Sequence, residues 1–355
     1  MIIVELLKET IAGIDNLDEE KMEEAQARLD SLTKPPGSLG KLEEIAVKLA
    51  GIGRDVFTKV DKKAHIVMAG DHGVVEEGVS TVPQAVTTQM VHNFLNEGAA
   101  VNVLANQVGV EVVIVDIGVA NDIEAEELVV KKIKYGTDNL AQGAAMSREE
   151  AVASIEAGIE VVQELIDKGA NLIGTGEMGI GNTTPSSAVL TTMTELSLDE
   201  TVGYGTGISN KQLKKKKEVI AEALEINQPQ ADDGIDILSK VGGLEIGGMA
   251  GIMLGAAANR VPVLIDGLIS GAAALIAQNL EPKVVDYLIP SHKSVEPGHI
   301  EIYRILGLEP MLDMDMRLGE GTGAVLGMNL VEAATRIISE MATLEEAQVE
   351  ANEAK

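Results

Sequence analysis

Gly174-Thr175-Gly176-Glu177-Met178-Gly179-Ile180-Gly181-Asn182-Thr183-Thr184 follows an apolar run, Asn171-Leu172-Ile173, and precedes Ser186-Ser187-Ala188-Val189-Leu190. The first flank reads as the end of a strand and the second as the start of a helix. The glycines between them let backbone N–H groups come close to a ligand, and a helix N-terminus adds a field that favours an anion. Glu177 sits inside this expected turn. A carboxylate there must face a cation or a proton-bearing ring rather than a phosphate.

The same alternation runs outward in both directions. Residues 65–69, 110–117, 171–174, 261–265 and 285–289 read as strands. Helical stretches lie around them at 1–31, 39–52, 83–95, 99–107, 148–168, 186–193, 211–224, 248–258 and 324–341, and the acidic tail after Met341 (Glu345, Glu346, Glu350, Glu353) reads as a fraying helix end. Strands alternating with helices imply an α/β fold with a doubly wound parallel sheet. Polar residues gather just past the strand ends, at Gly70-Asp71-His72-Gly73, Asp116, Asp266-Gly267 and Pro290-Ser291-His292. Open α/β sheets bind ligands at that edge.

Composition narrows the function. The 355 residues carry a formal net charge of −28, a field that repels nucleic acid and anionic membrane surfaces. An anionic ligand then needs local N–H donors and a nearby cation. Aromatics are 2% of the chain, with no Trp, so the core rests on aliphatic residues and Met. With no Cys, thiolate nucleophiles, disulfides and Cys-ligated zinc are excluded. The five His residues show neither HxH nor HxxxH spacing, and Asp71, His72 and His292 read as satisfied polar groups at strand ends, so no metal is expected. Residues 1–15 lack a basic segment followed by an apolar one and do not read as a signal peptide, and Arg260, Pro262 and Asp266 interrupt the most apolar region, 246–277. A cytoplasmic protein is expected. No GxxxxGK[ST] or GxSxG motif occurs, which argues against ATP hydrolysis and an α/β-hydrolase. Gly203-Tyr204-Gly205-Thr206-Gly207 has no preceding strand and is not read as a dinucleotide site.

A second glycine-rich carboxylate site is Arg317-Leu318-Gly319-Glu320-Gly321-Thr322-Gly323. With glycine on both sides, Glu320 is open to a ligand. Near a helix N-terminus it is expected to stay ionised, which suits a proton acceptor. An ordinary acidic residue favoured by the helix dipole fits the local sequence equally well.

Together these motifs carry a resemblance. Lys34-Pro35-Pro36-Gly37-Ser38-Leu39-Gly40, Ala69-Gly70-Asp71-His72-Gly73-Val74, Glu77-Gly78-Val79-Ser80, the Gly176–Thr184 stretch, Ile226-Asn227-Gln228-Pro229, the Asp233–Gly243 stretch, Leu288-Ile289-Pro290-Ser291-His292 and the Arg317–Gly323 stretch occur in this order across nearly the whole chain. The chain resembles the nicotinate-nucleotide:5,6-dimethylbenzimidazole phosphoribosyltransferase family, which prepares the lower-ligand nucleotide of cobalamin and other cobamides. The resemblance implies Glu320 as the catalytic proton acceptor, with Glu177 and Lys216 in the active site. The substrate-binding set expected with them is Gly176, Met178, Gly179, Asn182, Thr183, Gly205, Asp266, Ser291, Arg317, Gly319 and Gly321.

It also implies a Rossmann-like large domain, residues 61–324, and a small helical domain from both chain ends, residues 1–60 with 325–355. No cofactor or metal is implied. The implied partners are nicotinate mononucleotide, a benzimidazole-type base and a second copy of the chain in a homodimer. Family members often carry an aromatic residue where Thr81-Val82-Pro83-Gln84 stands here, which leaves the preferred base open among benzimidazoles and purines. A nucleotide-binding sensor without turnover, or a transferase related to nucleoside phosphorylases, would use similar features.

Overall fold

The computed structural model describes residues 3–349. Six strands form its main sheet: β1 (Lys63–Gly70), β2 (Glu111–Gly118), β3 (Val129–Val130), β4 (Leu172–Met178), β5 (Val263–Ile265) and β6 (Leu288–Pro290). Their order is β3-β2-β1-β4-β5-β6, and every neighbouring pair is parallel. The chain runs outward from β1 to β3, then returns to place β4 on the other side of β1. That reversal is the switch point at which doubly wound sheets open a crevice past their C-terminal strand ends. Past β6, two short strands, β7 (His292–Lys293) and β8 (Leu312–Asp313), pair in parallel.

Alternating side chains divide the interior in two. Ile66, Met68, Val115, Ile117, Ile173, Val263, Ile265 and Leu288 enter one core. Val67, Ala69, Ile114, Leu172, Leu264 and Ile289 enter the other. Strands buried on both faces must be apolar on both, which is why they read as continuous aliphatic runs.

The helices are α1 (Ile3–Ala12), α2 (Glu19–Asp30), α3 (Lys41–Gly53), α4 (Val86–Leu95), α5 (Ala100–Val108), α6 (Arg148–Asp167) and α7 (Thr183–Thr192). They continue as α8 (Leu198–Thr201), α9 (Asn210–Asn227), α10 (Gly234–Val241), α11 (Leu244–Ala258), α12 (Leu268–Leu280), α13 (Pro297–Leu306) and α14 (Thr322–Glu340). On the first face α11 and α12 lie against the strands, with α6, α10 and α1 outside them. On the second face α4, α5 and α14 cover the strands, and α2 and α3 pack on α14.

Three sequence expectations are corrected. The glycine-rich stretch is not all turn. β4 runs on to Met178, with Gly174 opposite His65 and Gly176 opposite Val67, so Glu177 is a strand residue, and α7 already begins at Thr183. The 285–289 strand begins only at Leu288, because residues 282–287 form a 3-10 turn opened by Pro282. The tail does not fray from α14, which stops at Glu340. Thr343 instead bridges to Leu32, Glu345 and Glu346 lie in turns, and Glu350 and Glu353 lie outside the described residues.

Helices α6 and α11 cross with their backbones nearly touching. A Cβ on Gly251 would stand 1.9 Å from the Ile155 carbonyl oxygen, and one on Gly158 1.9 Å from that of Gly248. Gly251→Ala therefore forces the helices apart and is expected to cost about 1–3 kcal/mol, despite alanine's better helix propensity. Gly143 has nothing within 4 Å of its Cβ position, so Gly143→Ala should stay within about 0.5 kcal/mol of the unmodified protein in urea denaturation. Equal midpoints for the two variants would refute the contact.

Candidate active site

A cavity of about 610 Å³ opens at the C-terminal ends of β4, β5 and β6. Glu177, Met178, Gly179, Asn182, Thr183, Gly205, Asp266, Arg317, Gly319 and Glu320, all candidates from the sequence, line it. Gly176, Lys216, Ser291 and Gly321 do not form its surface but stand behind the wall, each for a physical reason given below.

Glu320 reaches the cavity from a backbone that L-residues seldom adopt. Gly319, Glu320 and Gly321 have φ of 85°, 61° and 82°. A glutamate held there carries backbone strain of roughly 1–2 kcal/mol that surrounding contacts must offset. The contact is His65, buried in β1, whose Nε2–H donates to the Glu320 carbonyl at 2.8 Å. Burial lowers the His65 pKa to about 4, so the ring is neutral at pH 7. Glycine makes room for that ring: a Cβ on Gly176 would lie 2.5 Å from His65 Nε2, and one on Gly321 1.9 Å from its Cε1. Gly176 and Gly321 thus shape the Glu320 turn by absence of side chain. The Glu320 carboxylate, 7% exposed, accepts from Val101 N–H at 3.3 Å, in the first turn of α5. Its neighbouring helix N-terminus is that of α5 rather than α14. Burial raises the Glu320 pKa from the ordinary carboxylate value, against the Val101 bond that lowers it.

Glu177 ends β4 beside this turn. Asn182 Nδ2 donates to its Oε2, and Glu320 N–H donates to its Oε1 at 3.3 Å. Burial pushes its pKa up to about 8, and the carboxylates of Glu245 and Asp266 push the same way. Glu245 forms a fully buried pair with His72, Oε1 to Nε2 at 2.8 Å. His72 is therefore a strand-end residue partnered through Nε2, while its buried Nδ1 has no hydrogen-bond partner.

Lys216 is the buried member of its lysine run; Lys214 is 81% exposed, Lys215 faces Glu77 and Lys217 binds Asp199. Its Nζ donates to Thr183 Oγ1 at 2.7 Å and to the Gly203 carbonyl at 3.3 Å, just behind the cavity wall. Burial lowers its pKa to about 8, with Glu296 opposing. Asp266 caps α14, accepting from Gly323 N–H at 2.8 Å and Ala324 N–H at 3.3 Å. Ser291 Oγ donates to the Ile265 carbonyl at 2.7 Å and so ties β6 to β5.

The sequence reading missed His65, Glu245 and the cavity-lining Met90, Ser270, Ser294 and Glu296, and it took His292, which also lines the cavity, only for a strand-end polar group. A lone histidine in an apolar strand, His65, was the one signal available. Among the described residues no group of three or more His, Asp or Glu is arranged to hold a metal ion, and no helix is long and apolar enough to cross a membrane.

The sequence model of a family described as phosphoribosyltransferase matches residues 14–349. A nicotinate-nucleotide–dimethylbenzimidazole phosphoribosyltransferase of Desulforamulus reducens is 57% identical over 346 residues, 97% of this chain and 99% of its own. The chain belongs to the nicotinate-nucleotide–dimethylbenzimidazole phosphoribosyltransferase family. A phosphoribosyltransferase of the same name from Chloroflexus aggregans is 54% identical, with 97% and 98% of the two chains covered. Among solved structures, CobT from Thermus thermophilus matches with a TM-score of 0.91 at 42% identity, over 94% of this chain and all of its own. The α/β architecture of this phosphoribosyltransferase family member is thus that of a solved relative.

The raised Glu177 pKa has a stability consequence with a definite sign. The folded state holds the proton up to about pH 8 and the unfolded state releases it near 4.5, so the protonated group's contribution is complete below 4.5 and is lost as pH rises through 8. Glu177→Gln cannot ionise. Its stability relative to the unmodified protein should therefore improve between about pH 5 and about pH 8.5 in urea unfolding. A difference that does not move with pH would show that Glu177 has an ordinary pKa.

Proposed function

We propose that this protein moves the 5-phosphoribosyl group of nicotinate mononucleotide to 5,6-dimethylbenzimidazole or a related base, giving α-ribazole 5′-phosphate and nicotinate. The observation that carries this reading is the buried Glu320 carboxylate, presented to the cavity from a strained turn that His65 holds. The identity of 57% to a relative of that name supports it.

The chemistry needs one proton acceptor and no acid. In the donor the nicotinate nitrogen is a quaternary pyridinium. As its bond to C1′ breaks, the bonding pair returns to the ring and nicotinate leaves without needing a proton. One nitrogen of the incoming benzimidazole forms the new bond to C1′, and the N–H on its other nitrogen becomes strongly acidic. Glu320 accepts that proton, orienting the ring before attack and neutralising it during attack. General-base assistance of this kind gives roughly 10²–10⁴-fold, and a carboxylate with a raised pKa is the better base for it. Attack from the face opposite nicotinate inverts a β-nucleotide into an α-riboside.

Within the cavity, Thr183 at the start of α7, with Lys216 behind it, suits the 5′-phosphate. Met90, Met178, Ile180 and Leu318 supply apolar wall, and no Phe, Tyr or Trp ring lines the cavity, so the base would be held by shape and by Glu320 rather than by stacking. The same reading carries two units, residues 1–60 with 325–355 and residues 61–324, a homodimer, and a cytoplasmic setting; the family resemblance supports all three.

Incubation with nicotinate mononucleotide and a panel of bases, with products identified by mass, tests the reading. Binding without turnover would indicate a sensor, and a requirement for free phosphate a phosphorylase-like enzyme. Glu320→Gln should lower turnover about 100-fold or more while weakening base binding less. Near-normal turnover in a folded variant removes Glu320 from this role. Lys216→Ala should raise KM for nicotinate mononucleotide or lower turnover, whereas Lys214→Ala and Lys217→Ala should match the unmodified protein. Equal effects from all three would mean that the lysine run acts only as a diffuse basic patch.

A further inference from the structure

The loop at residues 203–207, between α8 and α9, is gripped from several sides. Glu296 Oε1 accepts from Gly205 N–H at 2.9 Å, and Arg317 donates to the Gly205 carbonyl at 3.0 Å. Lys216 donates to the Gly203 carbonyl and to Thr183, whose Oγ1 would lie 2.8 Å from a Cβ on Gly205. Such a Cβ would be 3.6 Å from Lys216 Nζ, and one on Gly203 1.9 Å from Glu296 Oε2, so the lysine and the glutamate both pack against this loop. Glu296 is 8% exposed and lines the cavity, yet its Oε2 is buried with no hydrogen-bond partner. A loop cap alone needs one acceptor oxygen, which an amide supplies as well as a carboxylate. The charge is what that role leaves unused.

We infer that Glu296 is a positioning residue: it seats the 203–207 loop and acts through it on Lys216, keeping that ammonium charged and aimed at the donor's phosphate end. This rests on the phosphate-end placement proposed above. Burial drives Lys216 toward its neutral form, and Glu296 is the opposing charge. Among the described residues Lys216 forms no ion pair: its Nζ donates to Thr183 and to the loop backbone at Gly203, Asp199 of α8 is taken by Lys217, and the Arg317 cation is held at the Gly205 carbonyl.

Glu296→Gln keeps the loop acceptor and removes the charge. Its Lys216 ammonium, followed by NMR of side-chain nitrogen, should titrate about one pH unit lower than in the unmodified protein. The KM for nicotinate mononucleotide should then rise about fivefold at pH 8 but less than about twofold at pH 6.5, with kcat changing less. Glu296→Asp, which retains the charge, should recover most of the loss. If Glu296→Gln does not fold, Glu296→Ala reads the same titration. An unmoved Lys216 titration, or equal KM losses at both pH values, overturns the inference. Absence of turnover in the unmodified protein would instead count against the proposed reaction, while the titration still decides the role of Glu296.

Discussion

The hydrogen bond from the neutral imidazole of His65 to the Glu320 carbonyl joins the first strand of the sheet to the turn that presents Glu320. Much of the site follows from it. The ring needs space, so β4 gives up side chains at Gly174 and Gly176, and the turn gives one up at Gly321. Three successive positive φ values aim Glu320 into the cavity, and Asp266 secures the helix that follows. A neutral ring suits this place better than a charged one. A protonated His65 would carry an uncompensated charge in a dry interior.

The second theme is how a chain with a formal charge of −28 builds a site for an anion. Long-range repulsion is screened by salt over about 8 Å, so local groups decide. Several acidic groups near the cavity have their negative charge muted. Burial and like charges favour the protonated form of Glu177, Asp266 is turned onto backbone N–H groups, and Glu245 is paired with His72. Lys216 then supplies positive charge behind Thr183, at the start of α7.

The parallel sheet was legible because strands buried on both faces are unbroken aliphatic runs, and Glu177 and Glu320 stood out because glycine flanks them. Other parts were not legible for identifiable reasons. A strand that gives up its Cβ atoms, as β4 does, looks like a turn until the neighbour filling the space is known. Helix α12, rich in alanine and buried all round, has no polar face to set a period, so nothing separated it from the apolar region around it. The His72–Glu245 pair spans 173 positions and Glu296 meets its loop across 91, distances over which local pattern carries no information. His292 and Ser294 reach the cavity from segments whose course depends on the sheet beneath them.

The lack of aromatic rings in the cavity wall has an optical side. The chain contains no Trp, and of its four Tyr residues, Tyr287 and Tyr303 are buried and do not line the cavity while Tyr135 and Tyr204 face solvent. A benzimidazole entering the site would be its brightest fluorophore, with no indole to absorb or quench its emission. Each encounter with the base and each turnover would then report itself in the ultraviolet emission of the ligand, against a nearly dark protein.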